Sequence, residues 1–170
     1  MPEIIVIAHN IRSTHNVGSI FRTAEGFGVE KIILSGYTPF PKIDNDPRLP
    51  HIAEKLTAQI HKTALSAETI VPFEHQEVLD LTALRSAGYR IVGLEQDPRS
   101  TMLQDYATPQ KIALLLGEEV SGIEQDLRDQ CDDLIEIPMV GQKESFNVSV
   151  ATGIALYGLT SGQPHPHQES

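Results

Sequence analysis

Residues Ile112-Ala113-Leu114-Leu115-Leu116 form an unbroken apolar run with a lysine before it and a glycine after it. A run with no polar gap has no face to give to water. It suits a strand covered on both sides, as in a parallel sheet with helices above and below. Strands are predicted at Lys111–Leu116 and, on similar grounds, at Ile4–Ala8, Lys31–Ser35, Thr69–Pro72, Tyr89–Leu94 and Leu134–Ile137. Helical periodicity falls between them, so the class is α/β, a mostly parallel sheet flanked by helices. Val17, Ile20, Ala24 and Phe27 share one face of a first helix over Asn16–Phe27. Asn16 is expected to cap its start and Gly28 to end it. Further helices are predicted over His51–Ile60, Glu74–Ala87, Glu124–Cys131 and Ser145–Thr160.

A chain of 170 residues suits one domain. We assign it to residues 1–160 and expect the tail 161–170, which lacks apolar periodicity, to be disordered. The opening Met1-Pro2-Glu3-Ile4-Ile5-Val6 has no basic segment and too short an apolar run for a signal peptide. No stretch is long enough to span a membrane, so no membrane partner and a cytoplasmic location are expected. Cys131 is the only cysteine. It can form no internal disulfide, and its acidic neighbours disfavour a thiolate, so it reads as a small buried hydrophobe.

The net charge of −10 argues against a polyanionic partner, but the charge is unevenly spread. Residues 1–62 carry seven Lys+Arg against six Asp+Glu, and residues 63–170 carry six against seventeen. A polyanion would approach the first third. An acidic surface that only keeps the protein soluble explains the same numbers.

Several chemistries lack their sequence signals. No G-x-G-x-x-G fingerprint follows a strand, and there is no phosphate loop with a Gly-Lys-Ser/Thr end. No G-x-S-x-G elbow is present. No histidine pair has metal spacing on a helix.

Polar and glycine-bearing positions cluster where strands meet helices, the usual ligand-binding edge of α/β proteins. The first cluster is Asn16-Val17-Gly18-Ser19-Ile20-Phe21-Arg22-Thr23-Ala24. Arg22 lies one turn after Gly18, whose missing side chain leaves room for an anion beside the guanidinium. A solvated helix arginine is the equal alternative. The second is Leu114-Leu115-Leu116-Gly117-Glu118-Glu119-Val120-Ser121-Gly122-Ile123, where Gly117 would let a flat ligand approach the backbone. Taken alone, it reads more simply as an acidic turn. The third is Ile137-Pro138-Met139-Val140-Gly141-Gln142-Lys143-Glu144-Ser145-Phe146-Asn147-Val148-Ser149-Val150-Ala151. Ser145 is expected to cap the last helix. Asn147, a poor helix former, suits either binding or capping. Small residues along that helix would let another backbone pack closely.

In this order the clusters resemble the three motifs of the TrmH-type SPOUT methyltransferases. They match N-x-G-[AS]-I-x-R-T-A, L-x-G-x-E-x-x-G and I-P-M-x-G-x-x-x-S-[LF]-N-V-S-V-A, over about Ile4 to Leu159. The resemblance implies a SPOUT fold with a deep C-terminal trefoil knot, an exception to un-knotted topology. It implies S-adenosylmethionine as methyl donor without a metal, and an RNA ribose 2'-hydroxyl as acceptor, with tRNA preferred to rRNA. It implies a homodimer whose active site draws on both protomers. By position, Asn16, Arg22, Glu119, Ser145 and Asn147 are the expected catalytic residues. Backbone around Leu94, Gly117, Ile137, Met139 and Phe146 is expected to hold the methyl donor. Two departures stand out. Glu118 replaces a common asparagine and is expected to face solvent. The basic extensions that several members use to grip tRNA are missing, so a basic partner protein is an alternative route to RNA. Rival readings are a non-catalytic SAM- or RNA-binding protein keeping the fold, a Rossmann enzyme, and a base methyltransferase.

Overall fold

In a computed structural model the structure describes residues 1–161. The expectation for the tail falls almost entirely outside them. Seven strands form one parallel sheet: β1 (Glu3–His9), β2 (Lys31–Ser35), β3 (Phe73–Gln76), β4 (Arg90–Leu94), β5 (Thr101–Met102), β6 (Lys111–Leu116) and β7 (Asp133–Glu136). Their spatial order is β3-β2-β1-β6-β4-β7-β5. Five helices accompany them: α1 (Thr14–Gly26), α2 (Pro50–Ala64), α3 (Leu81–Ser86), α4 (Gln125–Asp129) and α5 (Val148–Thr160). Among the described residues no helix is long and apolar enough to cross a membrane.

The sheet explains the apolar runs. On β1, Ile4, Val6 and Ala8 join Ile112, Leu114 and Leu116 of β6 in one core, with Val17, Ile20 and Phe21 of α1, Ile60 of α2 and Leu156 of α5. The alternate residues, Ile5, Ile7, Ala113 and Leu115, pack on the other face with Leu81 and Leu84 of α3. Both faces are dry, so neither parity of residue can be polar. Cys131 is half-buried, and burial, with Asp132 beside it, raises its thiol to about 11. It stays an uncharged thiol at neutral pH, as its acidic setting suggested.

Two elements depart from the sequence reading. No strand forms over 69–72. Leu65 and Ser66 take left-handed backbone angles, and a 3-10 turn covers Ala67–Thr69. Pro72 has no N–H to donate, although its carbonyl still accepts from Ile32. The strand therefore begins at Phe73, as an edge strand whose polar sequence resembles a helix start. Helix α3 is correspondingly short, and starts where the Asp80 carboxylate accepts the Ala83 N–H at 3.1 Å. The two-residue β5 had no sequence signal of its own.

Candidate functional site

The caps of α1 and α5 differ from the sequence reading, and they build the site. Helix α1 starts two residues before Asn16, because the Ser13 hydroxyl accepts the Asn16 N–H at 3.1 Å. Asn16 thus lies in the first turn with its side chain not used for capping. Helix α5 is capped by Asn147, not Ser145: its Oδ1 accepts from Ser149 N at 3.0 Å and Val150 N at 3.3 Å. Asn147 has a second job, since its Nδ2 donates to Asn16 Oδ1 at 3.1 Å.

Glu119 completes this chain of contacts. Its Oε1 accepts from Arg12 N at 3.0 Å, Ser13 N at 3.1 Å and Asn16 Nδ2 at 3.4 Å. Its charge rests on the N-terminus of α1, where free backbone N–H groups and the helix dipole favour an anion. Glu119 thus holds the loop before α1 and the Asn16 side chain together. One line of hydrogen bonds, Glu119–Asn16–Asn147, therefore joins all three sequence clusters.

Beside this line a cleft of about 290 Å³ opens at the carboxyl ends of β4, β6 and β7. That is near the lower end for small-molecule sites, roughly 300–1,000 Å³. Of the ten expected site residues, Leu94, Gly117, Glu119, Ile137, Ser145 and Phe146 line it. Asn16 and Asn147 adjoin it through Glu119. Met139 and Arg22 do not line it. Arg22 is exposed and has no ion-pair partner among the described residues. It follows Asn16 by six residues, about 9 Å further along α1 and on another face.

Sequence reasoning missed Glu95, Glu118, Glu136 and Glu144, which also line the cleft. A signal existed for Glu95 and Glu136, because both stand at the carboxyl end of a parallel strand. Glu95 is structural as well: its Oε2 accepts the Ile123 N–H at 2.8 Å. Glu118 is a correction. Its side chain is only 11% exposed. It accepts from the Ser121 N–H at 2.7 Å and hydroxyl, which hold its carboxyl below the usual range, and lies 3.7 Å from Arg12 Nε.

Two glycines are required by close packing. A Cβ on Gly18 would lie 2.0 Å from Thr63 Oγ1 and 2.3 Å from the Ile60 carbonyl oxygen. The missing side chain lets α1 and α2 touch, and leaves no room for an anion. A Cβ on Gly117 would meet Gly122 C at 2.4 Å. Gly117 closes the 117–122 turn, whose Gly122 has a φ of 73°.

Five carboxylates and no Lys, Arg or His line the cleft, with an apolar wall of Leu94, Leu116, Ile137, Phe146, Val148 and Ala151. Such a lining suits a cation joined to a flat apolar ring, and disfavours a pyrophosphate.

The SpoU rRNA Methylase family model matches residues 3–157. The 23S rRNA (guanosine-2'-O-)-methyltransferase RlmB of Nitrosomonas europaea is 34% identical over 158 residues, covering 92% of this chain and 55% of the relative. The enzyme of the same name from Coxiella burnetii is 33% identical over 167 residues, covering 97% and 61%. The chain thus spans little more than half the length of these relatives. The AdoMet-bound rRNA methyltransferase of Sinorhizobium meliloti superposes with a TM-score of 0.79 at 23% identity, over 96% of this chain and 57% of that one. At that identity the likeness is one of fold.

Proposed function

The chain belongs to the SpoU rRNA methylase family, and on that premise we propose that it methylates a ribose 2'-hydroxyl of RNA with S-adenosylmethionine. The observation that carries this reading is the cleft. S-adenosylmethionine supplies a methyl group on a sulfonium cation, and transfer leaves a neutral thioether. The carboxylates of Glu95, Glu118, Glu119, Glu136 and Glu144 favour that cation, while Leu94, Ile137 and Phe146 suit the adenine. Backbone at Gly117 and around Met139 would close the site.

As the methyl carbon bonds to the 2'-oxygen, the hydroxyl proton must leave. Arg22 is a poor base, because a guanidinium does not give up its proton in proteins. We assign it to the developing alkoxide and to an RNA phosphate, with the phosphate assisting proton loss. Asn16, held by Glu119 and Asn147, orients the ribose. Ser145 shapes the gap between donor and acceptor. Because Arg22 does not line the cleft of its own chain, a second copy is part of this reading. Helix α5 supports it. Its thirteen residues carry no charge, and Val150 and Tyr157 stand 51% and 66% exposed. A helix apolar on every side is ordinarily buried. The homodimer, the trefoil knot and a cytoplasmic setting belong to the same reading.

The named relatives act on 23S rRNA, so ribosomal RNA becomes the favoured target; the preference for tRNA finds no support in them. The test is methyl transfer from labelled S-adenosylmethionine to ribosomal RNA stripped of its ribose methyls. Arg22→Ala should lower turnover by about 100- to 1,000-fold, the usual effect of removing one oxyanion donor. Methyl-donor affinity should stay within about twofold, because Arg22 lies outside the cleft. Loss of both would make Arg22 structural. Donor binding with no transfer by the unmodified chain would favour a non-catalytic protein of this fold.

A further inference from the structure

A second depression, of about 590 Å³, lies beside the first at the carboxyl ends of β1, β2 and β3. Its lining includes Arg12, Tyr37, Phe40, Arg48, Gln59 and His75, and no carboxylate. Resting on the methyltransferase reading above, we infer that this groove seats an unpaired nucleotide of the RNA next to the methylated one, its base on Tyr37 and its phosphate on Arg12.

The floor of the groove is rigid. Phe40 and His75 stack with ring centres 4.0 Å apart, and the Arg48 guanidinium lies 3.6 Å from the Phe40 ring centre. Arg48 is spent on structure, because it donates to Asp46 Oδ2 at 2.6 Å and to the Phe40 and Pro41 carbonyls at 2.8 and 3.2 Å. Its charge is matched by Asp46, so it offers little to a ligand.

Tyr37 and Arg12 are held differently. The Tyr37 side chain is exposed (54% for the residue), yet its backbone is pinned. Its N–H donates to Asn10 Oδ1 at 3.1 Å, and Gly36 before it has a φ of 63°. That Asn10 oxygen lies 1.9 Å from where a Gly36 Cβ would stand. The ring is thus presented to solvent from a turn that only glycine fits, and a preorganised aromatic face costs little entropy when a base stacks on it. Arg12 lies over the same ring at 5.8 Å, with its side chain 74% exposed. Its Nε lies 3.7 Å from Glu118 Oε1, too far for a hydrogen bond, so guanidinium N–H groups are left for a phosphate. An exposed ring beside an arginine is how single-stranded nucleic acid is gripped without regard to sequence.

The groove is also in the right place. Ser13 lines it and donates its N–H to Glu119 of the cleft, and Arg12 is paired to Glu118. A strand leaving the cleft therefore meets the groove directly.

The test is binding of a fluorescein-labelled single-stranded oligouridylate to the full chain, with methyl-donor affinity measured alongside. Tyr37→Ala should weaken the oligonucleotide about tenfold, the ordinary cost of losing one stacking side chain. Tyr37→Phe should stay within about twofold, since stacking needs only the ring. Donor affinity and Tm should hold in both. Unchanged oligonucleotide binding by Tyr37→Ala overturns the assignment, as does a Phe variant as weak as the Ala variant. Methyl transfer by the unmodified chain is scored separately. Its failure with tyrosine-dependent binding intact sinks the methyltransferase reading and spares the groove. Normal transfer with tyrosine-independent binding does the reverse.

Discussion

The carboxyl edge of the sheet is divided. The half formed by β4, β6 and β7 holds a cleft with five carboxylates and no cation. The half formed by β1, β2 and β3 holds a groove lined by aromatic rings and no carboxylate, with Arg48 matched by Asp46 and Arg12 exposed. They meet at the boundary between β1 and β6, where Glu118 and Glu119 face Arg12 and Ser13. The net charge of −10 hides this division. On the proposed reading, a chain acidic as a whole offers carboxylates to a sulfonium and Arg12 to a phosphate, because field is set locally by what lines each depression.

Glu119 is where the division is most easily broken. It joins the halves by three hydrogen bonds, and bonds to a charged acceptor are worth roughly 1.5–3 kcal/mol each, less where solvent reaches them. Glu119→Ala should cost about 2–4 kcal/mol, lowering Tm by about 5–10 °C as read by thermal scanning. Donor affinity and oligonucleotide affinity should fall together. If only one falls, the halves are independent.

Salt separates them without a mutation. Raising ionic strength tenfold should weaken single-stranded RNA binding by about fivefold if the one phosphate on Arg12 is neutralised. Donor affinity in the cleft should move less than about twofold over the same range, since few ions are displaced there. Titrations at both salt concentrations check the pair. Equal sensitivity would show that the two halves do not bind ligands of opposite charge.

The smallest effect sharpens the boundary itself. Asn147→Asp keeps the oxygen that caps α5 but loses the Nδ2 donor to Asn16. It should hold Tm while lowering turnover. Asn147→Ala loses both and should cost about 1 kcal/mol in addition. Thermal scans and single-turnover rates distinguish these outcomes.

The acidic half was the more legible in the sequence. Its motif residues follow buried strands, and long apolar runs such as 112–116 leave little freedom of assignment. Lys111–Leu116 has the predicted bounds for this reason. The basic half was obscure because its parts are far apart in sequence and individually ordinary. Tyr37 and His75 are brought together only by the pairing of β2 with β3, and β3 carries a half-polar sequence with no strand period. Gly18 was misread for a related reason: spacing along one helix cannot show that a second helix passes 2.3 Å from its missing Cβ. Caps were misplaced by two or three residues at Asn16 and Ser145, because Ser13 and Asn147 compete for the same role and only the tertiary fold decides. The site survived these errors, since Asn16, displaced from capping, is left to meet Glu119 and Asn147.

The central claim is that this edge methylates RNA ribose. It is tested most directly by mapping ribose methylation at nucleotide resolution in RNA from cells with and without this gene. One ribose, in ribosomal RNA, should lose its methyl on deletion and regain it with the unmodified chain but not with Arg22→Ala. An unchanged map at every nucleotide would contradict the account.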